Sequence, residues 1–255
     1  MKEKKVYHYT SEFGAKGILE SNSLWITHSS FLDDTAEVKY ISKVLKGVLI
    51  YLFKHKEHYG MGVGRGFYVY EFIINTLQAL KETYKQGAPI TGGNLFLLSL
   101  TENKANQYLS DNYCREKGAI LEFTNNLNDM FKNEDYTFPV FSARVKYEYS
   151  EQMTILLEDI NEFYAEIGNN LCAYETIDWK EVAETVKLII NLKILHYSFF
   201  FKDYKFHKEE EYRVMFLVEE DSESMPVKYR IKSGRQIPYI ELKFNKESLI
   251  QAKFV

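Results

Sequence analysis

Apolar side chains in this chain recur at every second position near both ends and at every third or fourth position through much of the middle, and this switch of period constrains the fold more than any other feature. Residues 6–9 and 24–27 near the start, and 210–218, 227–231, 239–244 and 250–254 near the end, read as short strands. Strands this short are not stable alone or in isolated pairs. The two ends are therefore expected to meet in one central mixed or antiparallel sheet, with helices inserted between them, in an α+β fold.

The inserted segments carry their own signals. Ser11 is a suitable N-cap for a helix running to Leu19 that buries Phe13, Ile18 and Leu19. Asp33 or Asp34 can cap a longer helix with Val38, Ile41, Val44, Leu45, Val48 and Leu52 on one face, continuing toward His58. After the glycines at 60, 62, 64 and 66, Tyr70, Ile73, Ile74, Leu77 and Leu80 mark a second helix, so residues 35–86 read as an antiparallel helical insertion in a single domain spanning 1–255. Residues 95–101 form a near-continuous apolar run and read as a buried strand. Residues 118–123 and 138–147 are further strand candidates, and 150–172 and 178–201 read as helices.

Composition narrows the classes of function. With 45% hydrophobic and 27% charged residues over 255 positions, the chain is that of an ordered globular protein. A net charge of −4 gives no global field that would draw it onto nucleic acid or an acidic membrane. Cys114 and Cys172 lack the spacing of a zinc site or a disulfide framework, which fits a reducing cytoplasm. Residues 1–5 are basic but run straight into a strand, so no signal peptide is expected, and the apolar runs at 47–53 and 197–201 are too short to cross a bilayer.

Two segments far apart in sequence carry the chemistry. In Val6-Tyr7-His8-Tyr9-Thr10, the period of two puts His8 on one face with Val6 and Thr10, and Tyr7 with Tyr9 on the other, so the strand offers a ligand an imidazole and an aromatic surface or is a half-buried strand whose His8 merely satisfies a neighbouring backbone group. Near the far end, alternation places Glu209, Glu211 and Arg213 on one strand face and Glu210, Tyr212, Val214 and Phe216 on the opposite one. An arginine beside such acids keeps a carboxylate ionised, able to stabilise a developing positive charge or accept a proton. The competing reading is a solvated strand end. Ser99 and Thr101 share a face of the middle strand, where they touch either a ligand or the backbone. Asp33, Asp34 and Glu37 offer metal ligands but also suit a helix N-terminus on dipole grounds. His55 and His58 share a helix face, with no carboxylate or cysteine pattern to complete a zinc set. The glycine run at 60–66 lacks the ending of a phosphate loop and follows a helix, so it reads as a connection.

Taken together, Tyr7-His8-Tyr9-Thr10, Asp33-Asp34-Thr35-Ala36-Glu37 and Phe206-His207-Lys208-Glu209-Glu210-Glu211-Tyr212-Arg213 resemble the three landmarks of an uncharacterised bacterial domain family. Its pattern has Asn where Asp33 stands and Trp where Tyr108 and Phe206 stand; Ser99, Tyr113 and residues 118–123 match its middle portion. That family is similar, at a distance, to the ADP-ribosyltransferases. The resemblance implies a split sheet and an enzyme that cleaves NAD and transfers ADP-ribose to a macromolecule, protein or nucleic acid, as a bacterial toxin or anti-phage effector with a neutralising or defence-system partner. It also implies roles. Glu211 would hold the nicotinamide ribose, Glu209 would orient the acceptor, and His8 would bond a ribose hydroxyl. Tyr9 or Tyr113 would stack on nicotinamide, Thr10 and Ser99 would line the NAD site, and Arg213 would hold the pyrophosphate or position the acids. No metal is called for on this reading. Two other functions compete with it: a silent nucleotide- or protein-binding module, and a metal-dependent nuclease built on Asp33, Asp34, Glu37 and Glu211.

Overall fold

The two halves of the sheet are joined through one middle strand. In the computed structural model, which describes residues 5–31, 36–59, 64–87, 94–115, 117–124, 126–131, 141–172, 175–218, 225–232 and 234–255, the strands are β1 (Lys5–Ser11), β2 (Ser23–His28), β3 (Asn94–Thr101), β4 (Gly118–Thr124), β5 (Phe141–Arg144), β6 (Glu211–Val218), β7 (Lys228–Lys232), β8 (Arg235–Lys243) and β9 (Leu249–Phe254). The helices are α1 (Glu12–Ser21), α2 (Ala36–Lys54), α3 (Arg65–Gln86), the short α4 (Gln107–Leu109) and α5 (Leu127–Met130), and the long α6 (Tyr149–Cys172) and α7 (Trp179–Phe200). All nine strands belong to one sheet, ordered β7-β8-β2-β3-β1-β4-β9, with β6 on β3 and β5 on β6. Every strand pairing within it is antiparallel.

The centre of this order explains the candidate site. Along one edge β3 pairs with β6 over its full length, from Asn94↔Val218 to Thr101↔Glu211. Its other edge is shared: Phe96 and Leu97 pair with β2, and Thr101 pairs with Tyr7 of β1. Over residues 98–100 that edge pairs with neither strand, because β1 and β2 diverge there. The sheet is split at that point.

The pleat sorts the side chains of this sheet onto two faces. Val6, Leu24, Ile26, Phe96, Leu98, Leu100, Leu121, Phe123, Val214, Phe216, Ile240 and Leu242 form the apolar core on one face, with Ala15 of α1 and Leu127 and Met130 of α5. The opposite face receives Tyr7, Ser99, Thr101, Glu211, Arg213, Trp25, Thr27 and Tyr239, as their pairing requires. Ser11 caps α1 as expected, its side chain accepting from the backbone N–H of Gly14 at 3.1 Å. Phe13 departs from expectation, being 89% exposed rather than buried. At 100° per residue it lies roughly 160° around the helix from buried Ala15, and so faces away from the sheet.

Contacts divide the chain into two compact units, one comprising 1–35, 91–145 and 205–255 and the other 36–90 and 146–204. The first contains the whole sheet. The second is helical: α2 and α3 supply the expected insertion, and α6 and α7 pack with them around a core that includes Ile41, Leu45, Leu52, Ile73, Leu77, Leu156, Ile190 and Ile194. Gly87 stops α3 in a left-handed conformation, φ 75°, its N–H bonding back to the last turn.

Candidate functional site

Ser99 lies at the split. It sits directly opposite Arg213, and two residues along β3 Thr101 sits opposite Glu211. The Ser99 hydroxyl donates to Glu211 Oε1, and Arg213 Nε donates to the same oxygen at 2.6 Å. Glu211 and Arg213 are 5% and 2% exposed, so their charges face each other away from water, where such a pair is held rigidly or not at all. Ser99 itself is exposed, because the diverging strands leave it without a lateral neighbour on that edge. The Ser99 hydroxyl therefore lies between solvent and the buried carboxylate.

From the other side of the split, His8 of β1 forms a hydrogen bond to the backbone of Ser99. Burial lowers the pKa of the imidazole, and this bond acts the other way, so the ring donates to the backbone group that the diverging strand no longer pairs. His8 thus reaches the Ser99 backbone from the core face, which it shares with Val6 and Leu121, while the side chains of Ser99, Glu211 and Arg213 meet on the opposite face. The two distant segments meet through the backbone of β3, and the imidazole and the Glu211 carboxylate do not share one pocket.

The remaining candidates lie elsewhere. Glu209 does not share the strand face with Glu211, contrary to the alternation read from the sequence. It belongs to a 3-10 turn over Tyr204–Glu209, and Glu210 follows with a φ of 46°, so the chain changes direction before β6 begins. Glu210 is held in this unusual conformation by its surroundings. Thr101 Oγ1 donates to its carbonyl at 2.8 Å, Asn106 Nδ2 donates to its carboxylate at 3.1 Å, and Asn103 Nδ2 donates to that carboxylate as well.

Tyr9 is buried with Tyr7, Leu109, Cys114 and Ile120. Its hydroxyl donates to the Lys104 carbonyl at 2.7 Å and accepts from the Asn106 N–H at 3.0 Å, so it anchors the loop after β3. Burial pushes its pKa up, which keeps that donor protonated. Thr10 packs its hydroxyl against α1, where a methyl on Gly14 would collide with it. Tyr113, at 51% exposure, sits in a single π-helical turn over Ser110–Cys114. Asp33 and Asp34 lie outside the described residues, as does the side chain of Glu37.

Several residues with a part in this face were not singled out from the sequence. Trp25 of β2 is one: since Thr27 pairs with Leu97, Trp25 lies level with Ser99 across the split. The signal was present in Ser23-Leu24-Trp25-Ile26-Thr27, where two aliphatic residues take the core face and the tryptophan joins a serine and a threonine on the other. Asn106 is a second, buried and bonded to the carbonyls of Lys208 and Glu209 as well as to Glu210. Its bonds cross about a hundred positions of sequence, and no local pattern announces them. Glu122 is a third, a lone acid in an apolar strand, buried between Lys5 and Lys104, each at 2.5 Å. Hydrogen bonds from Lys104 and Lys5 hold its pKa below the usual carboxylate range.

In the helical unit, Glu57 brings a carboxylate to His55 and His58, with ligand atoms of all three within 4.8 Å of one another. This corrects the expectation that no acid completes the pair. Among the described residues neither imidazole donates the outer hydrogen bond to a carboxylate or carbonyl that orients a metal-binding histidine, and Glu57 and His58 are exposed. Among the described residues, no helix is long and apolar enough to cross a membrane.

No family model, curated protein or solved structure matches this chain.

Proposed function

We propose that this protein is an ADP-ribosyltransferase-like enzyme that cleaves NAD at the split in its sheet and passes ADP-ribose to a macromolecular acceptor. The observation that carries the reading is the convergence of the Ser99 hydroxyl and the Arg213 guanidinium on one oxygen of buried Glu211 at the split. The division of the ladder at β3 supports the corresponding split-sheet arrangement.

The chemistry follows from the charges. When the bond between the ribose carbon and nicotinamide breaks, its electron pair leaves with nicotinamide, and the ribose carbon becomes cationic. A carboxylate fixed nearby lowers that barrier without having to reorganise, an effect of about 2.7–4 kcal/mol for one well-placed group. Arg213 keeps Glu211 ionised and immobile, and Ser99 fixes its rotamer from the open side. The acceptor nucleophile then bonds to the ribose carbon and releases a proton. His8, on the opposite face, bonds the Ser99 backbone and so positions β3 rather than touching the ribose.

The test is incubation of the protein with labelled NAD and cell lysate. Nicotinamide should be released and label should reach a macromolecule, and Glu211→Gln should reduce release by roughly 10²–10³-fold. Label that stays in NAD for the unmodified protein would dismiss the reading, leaving nucleotide binding without turnover as the alternative.

A further inference from the structure

Arg213 is committed to Glu211, which leaves the question of which cation on this face serves an anionic ligand. Trp25 is 49% exposed, and Tyr239 packs against it with ring centroids 4.6 Å apart and planes tilted by 31°. The guanidinium carbon of Arg230, on β7, lies 5.7 Å from the centre of each ring. Its Nη2 donates to Thr27 Oγ1 at 2.9 Å, while its Nε is buried with no partner. Among the described residues no carboxylate pairs with Arg230. Glu241, which lies on this face, is occupied by Lys228 at 2.5 Å and by Ser23 at 2.8 Å.

This is an arginine held in place by two rings and a threonine, with no carboxylate partner among the described residues, beside an indole that is half open to solvent. Stacking on aromatic faces fixes a guanidinium without neutralising it, and its planar donor edge suits phosphate oxygens. The exposed part of an indole suits a planar base. Trp25 is also, by register, the β2 residue level with Ser99, so the aromatic end of the pair lies on the side of the split that holds Glu211.

We infer that Trp25 and Arg230 form a subsite for a nucleoside phosphate, with the base stacked on Trp25 and the phosphate facing Arg230. The inference deepens the NAD reading by giving the substrate a phosphate-binding cation and rests on that reading for its place in a reaction. Its test needs no turnover.

The unmodified full chain is titrated calorimetrically with AMP, ADP-ribose, adenosine and a short single-stranded oligonucleotide. AMP and ADP-ribose are expected to bind about 10-fold or more tightly than adenosine, a difference that Arg230→Gln removes. Trp25→Ala should weaken all base-containing ligands by roughly 10-fold, and Trp25→Phe should restore part of the loss. Tighter binding of ADP-ribose than of the oligonucleotide assigns the site to a free nucleotide, and the reverse order to a nucleic acid strand; either order retains a nucleoside phosphate as the ligand class. Equal affinity for AMP and adenosine, no binding at all, or indifference to Arg230→Gln in a variant whose circular dichroism is unchanged would overturn the inference. If nicotinamide is released while Arg230→Gln has no effect on AMP binding, this subsite fails and the NAD reading stands. If AMP binds through Arg230 but NAD is never cleaved, the subsite stands and the NAD reading fails.

Discussion

Glu122 and Glu211 are both buried carboxylates on the same face of the same sheet, each satisfied by cations, yet their settings differ in kind. Glu122 is gripped by Lys5 and Lys104, two flexible side chains whose ammonium-bearing ends reach solvent, and it closes off a fully paired stretch of β1 and β4. Glu211 is gripped by one rigid, buried guanidinium and one exposed hydroxyl at the point where the sheet comes apart. The first arrangement neutralises a charge. The second fixes a charge beside an opening, which is what preorganised electrostatic stabilisation requires.

This contrast can be broken in several ways. The largest effect on stability is expected from Arg213→Ala, which strands Glu211 as a buried charge and should cost about 3–5 kcal/mol in urea unfolding. Lys104→Ala leaves Glu122 with Lys5 and removes a side chain half open to water, so its cost should be about 1 kcal/mol or less. Equal costs would mean the two acids are held alike. A smaller effect separates them by pH. Because the folded-state pKa of Glu122 lies below its unfolded value, its stabilisation is complete above the ordinary glutamate range, about pH 4.3, and is lost as pH falls through the lower folded value. Glu122→Gln should therefore flatten the acid limb of the stability curve, as read from melting temperature against pH. The smallest effect is expected from Thr10→Ala. Its hydroxyl packs on α1 rather than facing the split, so nicotinamide release should be unchanged and stability should shift by less than about 1 kcal/mol.

Much of the fold could be read from the sequence because burial imposes a period. The expected helix over 178–201 and the observed Trp179–Phe200 coincide, since Val186, Ile190 and Ile194 keep one face inside. The strand expected over 95–101 is β3, and the sides of β1 fall as alternation requires, with Val6 in the core and Tyr7 opposite Thr101. Alternation failed at Glu209 because a single left-handed residue, Glu210, resets the direction of the chain, and nothing about a run of three glutamates indicates where the strand starts. The meeting of Ser99 with Glu211 was also hidden. Their contact spans 112 positions and depends on the β3–β6 register, a property of the assembled sheet rather than of either segment. Trp25 lay in plain view, but its meaning depends on knowing that β1 and β2 part beside it.

The most direct measurement compares Glu211→Gln with Glu122→Gln in the same nicotinamide-release assay, with both proteins confirmed folded. The account predicts that the first loses release almost entirely and the second retains it. Loss of release in both, or retention in both, would contradict the claim that the carboxylate at the split, and not burial of an acid in general, carries the chemistry.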